Sequence, residues 1–402
     1  MNDLRQKIEH EIRERGPIPF SRYMELCLYD PQLGYYSRNA EQFGKAGDFY
    51  TSSDVHAVFG RLLARQFEEI WRLLGSPEEI ALVEFGPGRG LFAQDVLDWS
   101  EKKFPDFFST LRYVLIESSP ALRHRIKETL AHHLKSGKAV CAHKVETFGA
   151  EKTGKGTTSV VPKRDPPDWA LAPESPSIVF ANELFDALPV EILSPQGALR
   201  IDASDGRFLE TWAQPSAEEL EFLDRYSVHP EPDERVEVPL AAQQIMDRIA
   251  ASLHRGFFVA IDYGYTREEQ LAGRHRGSLK AIRQHSINAS PYEAPGEQDI
   301  TAGVNFTALA AAAEKHGMQT QKIVTQSQFL MGIGEANQFA DAFEECRLPQ
   351  ERAKVALQLK HLVTPAGMGE SFHVLIASKG VEKEKAARLA GLRFSRGPTV
   401  SR

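Results

Sequence analysis

The sequence predicts an α/β fold in which a mostly parallel, Rossmann-like sheet is covered by helices on both faces. Three observations lead to this prediction. Short, almost continuously apolar runs recur along the chain, helical stretches separate them, and a cluster of glycines follows the first run. Strands that are apolar throughout are typical of parallel sheets, because helices bury both faces of such sheets.

Five apolar runs are the strand candidates of this core. They are IALVEFG (80–86), RYVLIES (112–118), the weaker KAVCAHKVETF (138–148), SIVFANE (177–183) and GFFVAIDYG (256–264). A helical stretch begins near Leu91, and a second follows RYVLIES as far as Lys135. The segments 318–326 and 372–379 are candidates for strands that complete one edge of the sheet.

A helical region, residues 1–78, precedes the sheet. Residues 2–15 predict a short polar helix that ends at Gly16, which is followed by a proline. Asp54 is a candidate cap for a second helix with an apolar stripe over residues 55–74.

Other stretches interrupt or follow the core. Residues 151–177 are rich in proline, glycine and serine, which predicts a surface loop. Residues 191–249 are expected to form an inserted segment with a hairpin that turns at Asp205-Gly206. The core is thereby divided into residues 79–190 and 250–380, and the charged residues 381–402 are expected to form a mobile tail.

Composition narrows the class of protein. The 402 residues suffice for two or three domain-sized units, and contents of 42% hydrophobic and 26% charged residues are those of an ordinary globular enzyme. A net charge of −7 argues against nucleic acid as a partner. The cysteines Cys27, Cys141 and Cys346 form no CxxC pair, so neither a zinc site nor a disulfide framework is expected. No apolar run is long enough to span a membrane and the first residues resemble no secretory signal, so we expect a cytoplasmic protein.

The glycine cluster is the first candidate binding site. Glu84, Gly86, Gly88 and Gly90 lie in EFGPGRG, between the first strand and a helix. Glycines there let the backbone approach a ligand, and the free N–H groups of the helix suit an acidic group such as a methionyl carboxylate. The spacing is GxGxG, which weakens a nicotinamide or flavin interpretation, and Glu84 is a candidate for attracting the cationic side of S-adenosyl-L-methionine (SAM). A tight structural turn is the alternative interpretation.

The second strand ends in an acid, Glu117, 31 positions after Gly86. A carboxylate at this place can accept hydrogen bonds from both ribose hydroxyls of an adenosine. Because nucleotide-type ligands bind at the carboxyl ends of parallel strands, the glycine turn and this acid together predict a SAM site. A solvated acid at a strand end is the alternative.

The fourth strand ends in Asn182, Glu183 and, three residues later, Asp186. Arginine is cationic at neutral pH, with a pKa of about 12.5–13.8, so a guanidinium nucleophile needs acids that orient it and take its proton. Glu183 and Asp186 are the candidate catalytic acids, with Asn182 beside them. Helix capping is the alternative role of the two acids. Asp262 ends the fifth strand at the same edge, where it either contributes to the site or caps the loop.

The long segment 265–305 shows little regular pattern, which suggests a substrate-facing loop. His285 lies in it and is a candidate substrate-side residue, although a lone histidine in a loop is more often structural. No cluster of histidine, cysteine and carboxylate residues has the spacing of metal ligands, so no metal is expected.

Several of these segments together resemble the MidA-like family of SAM-dependent methyltransferases. They are GDFYTSSDVHAVFG (47–60), EFGPGRG (84–90), YVLIESSPALR (113–123), NELFDALPVE (182–191), DYG (262–264), HSINASPYEAPGEQDITAGVNFTAL (285–309) and MGESFHVLIASKG (368–380). The segments follow the family's order over nearly the whole chain. The resemblance implies a class I methyltransferase sheet with an added N-terminal helical region and an inserted segment.

The resemblance also implies an activity and site residues. The cofactor is expected to be SAM, held by Gly86, Gly88, Gly90 and Glu117, with Thr51 and Ser52 in a segment that closes over it. The substrate is expected to be an arginine of a partner protein, a respiratory complex I subunit in the mitochondrial members. SSDVHAVFG (52–60) and GSLKAIRQH (277–285) depart from the family's usual forms, which puts the target in doubt more than the cofactor. A SAM-binding assembly factor without turnover is the alternative function, and methylation of a small amine is a weaker one.

Overall fold

The computed structural model describes residues 3–37, 57–142, 175–274, 277–283, 286–288 and 290–394. The N-terminal region contains α1 (Asp3–Arg15), β1 (Ile18–Pro19), α2 (Phe20–Tyr29) and α3 (Ala57–Leu73). The polar helix predicted over 2–15 is therefore confirmed as α1, which ends before Gly16. The predicted cap Asp54 lies outside the described residues.

The first half of the core alternates strands and helices. It contains β2 (Ile80–Phe85), α4 (Leu91–Lys103), α5 (Pro105–Thr110), β3 (Leu111–Ile116), α6 (Pro120–Thr129), α7 (Ala131–Lys135), β4 (Ala139–Ala142) and β5 (Ser177–Asn182). Helix α6 begins where the sequence signals a start, because Pro120 occupies its first turn and the Ser119 hydroxyl accepts a hydrogen bond from the Leu122 amide at 3.3 Å.

The interrupting segment is a small α/β unit. It contains β6 (Glu191–Ser194), β7 (Gly197–Ser204), β8 (Arg207–Ala213), α8 (Ala217–Tyr226) and β9 (Val236–Val238). The predicted hairpin is confirmed: β7 and β8 pair antiparallel on either side of Asp205-Gly206, both of which have positive φ.

The second half of the core returns to the main sheet. It contains α9 (Leu240–Ser252), β10 (Gly256–Tyr265), α10 (Arg267–Leu271), β11 (Lys280–Arg283), β12 (Ser286–Asn288), β13 (Asp299–Thr301), β14 (Val304–Asn305), α11 (Phe306–Lys315), β15 (Gln319–Thr320), β16 (Val324–Thr325), α12 (Gln326–Glu335), α13 (Ala340–Phe343), α14 (Pro349–Val363), β17 (Phe372–Lys379), α15 (Lys383–Ala386) and α16 (Ala390–Arg393). Within the described ranges, no helix is both long and apolar enough to cross a membrane.

The main sheet has the strand order β15-β17-β10-β5-β2-β3-β4. Strands β4, β3, β2, β5 and β10 run parallel, whereas β17 is antiparallel to β10 and pairs with both short strands β15 and β16. The predicted α/β fold and the predicted edge strands are confirmed. The chain moves from β2 to β3 and β4 on one side, then returns to place β5 on the other side of β2. The carboxyl ends of β2 and β5 therefore flank a topological switch point, where ligands bind in sheets of this kind.

Both faces of the sheet are buried, which explains the continuous apolar runs. Along β2, Ile80 and Leu82 face one apolar cluster with α3 and α4, whereas Ala81 and Val83 face a second cluster with α9 and α11. Leu82 and the strands' other central side chains are almost fully excluded from solvent. A strand with a polar face could not occupy this position without burying unpaired polar groups.

A second, smaller unit lies over the carboxyl edge of the sheet. Its sheet has the order β1-β7-β6-β9, so the N-terminal strand pairs with the inserted hairpin, Ile18 opposite Ile201. A common apolar cluster joins residues of α1 and α2 to the inserted strands and to Ile300 and Ala302. We call this unit, made of the described parts of 3–37, 190–238 and 278–302, the outer layer. Parts of the predicted N-terminal and inserted segments thus form one layer, whereas α3 and α9, which the prediction assigned to those segments, pack on the main sheet.

Two expectations need correction. Residues 265–305 are not a patternless loop, because they contain α10 and the antiparallel sheet β12-β11-β13. These strands have only three or four residues, too few for a periodic pattern. The start of the tail is not mobile either, because Ala386, Leu389 and Leu392 are buried in the apolar cluster beside α3. The apolar residues of these four-residue helices are too few to stand out in a charged sequence.

Candidate active site

The glycine turn lies between β2 and α4. Gly86, Gly88 and Gly90 have φ values of 67°, 55° and 78°, in the left-handed region that side chains other than glycine rarely adopt. A Cβ on Gly86 would lie 2.9 Å from Cδ1 of Leu184, whereas a Cβ on Gly88 would meet no atom of the described residues within 4 Å beyond its chain neighbours. The turn therefore brings bare backbone beside open space, as a closely bound ligand requires.

Glu117 follows β3 and is held by the neighbouring backbone. Its Oε1 accepts a hydrogen bond from the Ser119 amide at 2.8 Å, and the Gly88 amide also donates to this carboxylate. The side chain is buried, and burial raises the pKa of Glu117 to about 7 against the opposing effect of these amides. The carboxylate is thus fixed directly beside the glycine turn, which suits a partner that donates hydrogen bonds.

Glu84 lies one residue before the end of β2. Its Oε2 accepts a hydrogen bond from the Tyr113 hydroxyl at 2.8 Å. Burial raises the pKa of Glu84 to about 8, because only one hydrogen bond opposes the loss of water around the carboxylate. A bound cation would favour its ionised form, so the residue is compatible with the predicted attraction of the cationic side of SAM.

Asn182 is the last residue of β5, and Glu183 and Asp186 lie on the turn that links β5 to β6. The conformation of this turn is held from below by Asp262 of β10, whose Oδ2 accepts hydrogen bonds from the amides of Leu184, Phe185 and Asp186 at 3.1, 2.9 and 3.4 Å. No helix begins at this turn, so neither acid serves as the helix cap that was the alternative interpretation. Glu183 has a φ of 50°, an uncommon conformation for a residue with a side chain.

Asp186 is the most strongly perturbed acid of this turn. It is 4% exposed, and its Oδ1 is buried and has no hydrogen-bond partner among the described residues. Burial holds its pKa well above the usual range, and the acids Asp262, Asp299 and Glu183 raise it further. The Oδ1 of Asn182 is likewise buried without a partner in the described part of the chain. Because both residues line the same cavity, a ligand that donates hydrogen bonds there would complete the bonding of these atoms.

A cavity of about 1250 Å³ joins these residues. Ligand pockets typically measure about 300–1,000 Å³, so this cavity has room for a cofactor and for part of a second molecule. Seven residues proposed from the sequence line it: Glu84, Gly86, Gly88, Glu117, Asn182, Glu183 and Asp186.

Of the other proposed residues, Gly90 and Asp262 are described and do not line the cavity. Gly90 is the N-cap of α4, behind the turn, and a Cβ there would face Ile126 and Leu130 at 3.4 Å. Asp262 lies beneath the turn that carries Asp186, so of its two predicted roles the geometry favours capping the loop. Thr51, Ser52 and His285 lie outside the described residues.

Sequence reasoning did not assign three residues that line the cavity from the outer layer: Tyr29, Tyr36 and Asp299. The Tyr36 hydroxyl donates to Oδ1 of Asp299 at 2.9 Å, and the Tyr29 hydroxyl donates to the carbonyl of Ala187 at 2.9 Å. The only local signal was an acid in an otherwise irregular segment. Tyrosines in a turn-rich stretch are too common to indicate a site.

One group of residues outside the cavity has donors close enough for a metal ion. Among the described residues, Glu101, His132 and His133 bring their ligand atoms within 4.8 Å of one another. None of the three lines the cavity, so they take no part in the site described above.

Known proteins resemble the chain along most of its length. A family model described as "Putative S-adenosyl-L-methionine-dependent methyltransferase" matches residues 62–324. The protein arginine methyltransferase NDUFAF7 homolog, mitochondrial, of Drosophila melanogaster is 30% identical over 400 residues, covering 94% of this chain and 85% of that protein. The Homo sapiens protein arginine methyltransferase NDUFAF7, mitochondrial, is 28% identical over 377 residues, covering 90% and 80%.

A solved structure agrees with the fold and with the ligand. The crystal structure of a protein from Burkholderia thailandensis, bound to S-adenosyl-homocysteine, superimposes with a TM-score of 0.76 at 26% identity. The match covers 98% of this chain and 95% of that chain. The fold of this chain thus has a counterpart in a protein that holds the demethylated form of SAM.

Proposed function

The chain belongs to the family of S-adenosyl-L-methionine-dependent methyltransferases, and from that premise we propose that it methylates an arginine side chain of a partner protein. SAM is its cofactor, and the residues around the glycine turn fit this molecule. The single observation that carries the proposed substrate is the position of buried acids, Asp186 above all, in the same cavity as the glycine turn.

The cofactor half of the cavity uses residues at the ends of β2 and β3. The bare backbone at Gly86 and Gly88 would receive the methionyl part, and Glu117 would accept hydrogen bonds from the ribose hydroxyls. When bound, SAM supplies a methyl group on a positively charged sulfur. The buried carboxylate of Glu84 would favour this positive charge.

The acceptor half uses the turn after β5. A carboxylate can orient a guanidinium group through paired hydrogen bonds, and Glu183 and Asp186 both line the cavity. The bound guanidinium would favour the ionised form of Asp186, and because burial raises the pKa of this residue, its carboxylate is a better proton acceptor than an exposed one. In the proposed reaction this carboxylate takes the proton that the guanidinium loses when its nitrogen is methylated. Holding the two reactants in line supplies most of the remaining rate enhancement.

The acceptor residue, the partner protein and the cellular location are proposals. The relatives from Drosophila melanogaster and Homo sapiens are described as protein arginine methyltransferases, which supports a protein arginine as the substrate. A subunit of the respiratory complex I type is proposed as the partner from the resemblance of the motif set. The cytoplasmic location expected from the sequence remains a proposal, which fractionation of the native cells would test.

Transfer of tritium from labelled SAM is the direct test. The purified full-length chain is incubated with a lysate of its own organism, and the labelled protein is hydrolysed to amino acids. We expect label in a discrete protein and in methylated arginine, strongly reduced for Asp186→Asn. The control Asp205→Asn removes the same charge at the hairpin tip of the outer layer and should label like the wild type.

Two results would contradict the proposal. Label in another amino acid would exclude arginine as the acceptor. No label, from a chain that binds S-adenosyl-homocysteine, would favour an assembly factor that holds the cofactor without turnover.

A further inference from the structure

The outer layer contributes a second buried acid to the cavity. Asp299, on β13, is 4% exposed and lines the cavity together with Asp186. The two acids come from different layers but lie close enough for Asp299 to act electrostatically on Asp186. The strongest charged influences on Asp186 are all acids: Asp262, Asp299 and Glu183. Grouping like charges away from water is costly, and a cation between them would relieve that cost.

Aromatic rings stand beside these acids. Tyr29, Tyr35 and Tyr36 line the cavity, and the ring centroids of Tyr29 and Tyr36 are 5.5 Å apart. The hydrogen bond from Tyr29 to the carbonyl of Ala187 fixes its ring beside the turn that carries Asp186. The hydrogen bond from Tyr36 to Asp299 fixes the second ring to the second acid. Both rings are thus oriented by groups of the site itself.

We propose that Asp186, Asp299, Tyr29 and Tyr36 form a pocket that selects the guanidinium group of the acceptor arginine. This inference rests on the proposed function and names the part of the site that recognises the substrate. A guanidinium presents a rigid fork of donors to carboxylates and flat faces to aromatic rings, whereas an ammonium has neither property. A pocket that is lined by acids from two layers and by tyrosine rings therefore favours arginine over lysine.

The unpartnered oxygen of Asp186 supports this assignment independently of the acid cluster. Oδ1 is buried and meets no donor among the described residues, although the neighbouring backbone is fully engaged through Asp262 and Ala302. A donor supplied by a ligand would complete its hydrogen bonding. The cofactor residues identified above come from β2 and β3, whereas Asp186 and Asp299 come from the turn after β5 and from the outer layer. The acids therefore lie on the side of the cavity left for the acceptor.

Binding of small probes tests the pocket without knowledge of the partner protein. The full-length chain, loaded with S-adenosyl-homocysteine, is titrated with N-acetyl-arginine amide, N-acetyl-lysine amide and N-acetyl-citrulline amide by NMR. Citrulline has the shape of arginine without its charge. We expect the arginine probe to bind about tenfold or more tightly than citrulline and also more tightly than lysine, because both acids act on the charged group.

Conservative variants assign the preference to the named residues. Asp299→Asn keeps an oxygen that can accept from Tyr36 but removes the charge, and Tyr36→Phe keeps the ring but removes the hydroxyl. Each should reduce the preference for arginine over citrulline while the affinity for S-adenosyl-homocysteine stays within about twofold of the wild type. Asp205→Asn should leave both quantities unchanged.

Each possible outcome decides between the proposals. Equal binding of arginine and citrulline by the wild type, or an unchanged preference in Asp299→Asn, overturns the pocket. A parallel loss of affinity for S-adenosyl-homocysteine in Asp299→Asn also overturns it, because the acid would then belong to the cofactor site. An intact arginine preference in a chain that transfers no tritium supports the pocket and removes the proposed methyl transfer. Tritium transfer to arginine without a preference for the arginine probe overturns the pocket and supports the proposed methyl transfer.

Discussion

Replacement of Glu117 by glutamine measures what the buried carboxylate contributes to cofactor affinity. The substitution keeps the size and shape of the side chain but exchanges the charge for an amide. In the wild type, the amides of Gly88 and Ser119 already donate to this carboxylate, which leaves lone pairs for the two ribose hydroxyls. A glutamine has one acceptor oxygen, and its NH₂ group would face at least one donor.

The expected loss of cofactor affinity follows from the number of hydrogen bonds to the charged carboxylate that the substitution removes. A hydrogen bond to a charged group contributes about 1.5–3 kcal/mol. The loss of one such bond, at about 1.4 kcal/mol for each tenfold change, weakens binding by roughly 10- to 150-fold. Glu117 is 6% exposed, so solvent screens little of this contribution.

Calorimetric titration with S-adenosyl-homocysteine is the assay, and unfolding temperature is the check that the variant folds. Glu128→Gln is the matched control, because Glu128 lies on the neighbouring helix α6 with a side chain that is 56% exposed. It should bind like the wild type. A folded Glu117→Gln variant with less than about a threefold loss of affinity would refute the ribose-binding role, since that change is below one charged hydrogen bond.

Three further outcomes are expected. First, wild-type affinity for S-adenosyl-homocysteine should fall as the pH drops through about 7, because burial raises the pKa of Glu117 to that value. Protonation then removes the charge that accepts the ribose hydrogen bonds. The pH profile of the affinity of Glu117→Gln should lack this step. Second, Gly86→Ala should lower the free energy of unfolding by about 1–2 kcal/mol because of the left-handed backbone, and it should also weaken cofactor binding because its Cβ would press on Leu184. Gly206→Ala, at a position with positive φ but open surroundings, should lower the free energy of unfolding only. Equal cofactor affinities in the two variants would contradict this account. Third, Leu389→Ala should lower the free energy of unfolding, measured with urea, by about 2–5 kcal/mol, because Leu389 is fully buried. The control Leu357→Ala, at an exposed position, should lower it by about 0.5 kcal/mol or less. Similar values for both variants would show that the segment after β17 adds nothing to the core.

The main sheet could be predicted because its strands obey a local rule. Strands such as β2 and β10 are apolar on both faces, and glycines or acids mark the points where they end. The hairpin at Asp205-Gly206 could be predicted for the same reason, since two turn residues stand between two strand-like runs. These features depend on neighbours in the sequence, which a single sequence displays.

The outer layer could not be predicted because its contacts are long-range. Strand β1 has two residues, and its partners Arg200 and Ile201 lie more than a hundred positions away. Nothing in so short a segment specifies such a partner. The same limit applies to the site: Glu117 could be proposed from its place at the end of a strand, whereas Asp299 meets Asp186 only because two layers pack together. Asp262 could be placed at the correct edge, but its three bonds to the turn below the cavity depend on the conformation of that turn.

The pairing of β1 with β7 also orders events during synthesis. Residues 3–37 leave the ribosome well before their sheet partner at Ile201 and their packing partners at Ile300 and Ala302. Until those residues emerge, α1 and α2 have only each other and the rest of residues 3–37 to cover their apolar faces, which makes the early chain a candidate client for chaperones. Strands β2 to β5, by contrast, join neighbours that are made within about a hundred residues of one another. The nascent polypeptide should therefore assemble the half that holds the methyl donor before the half that receives the acceptor.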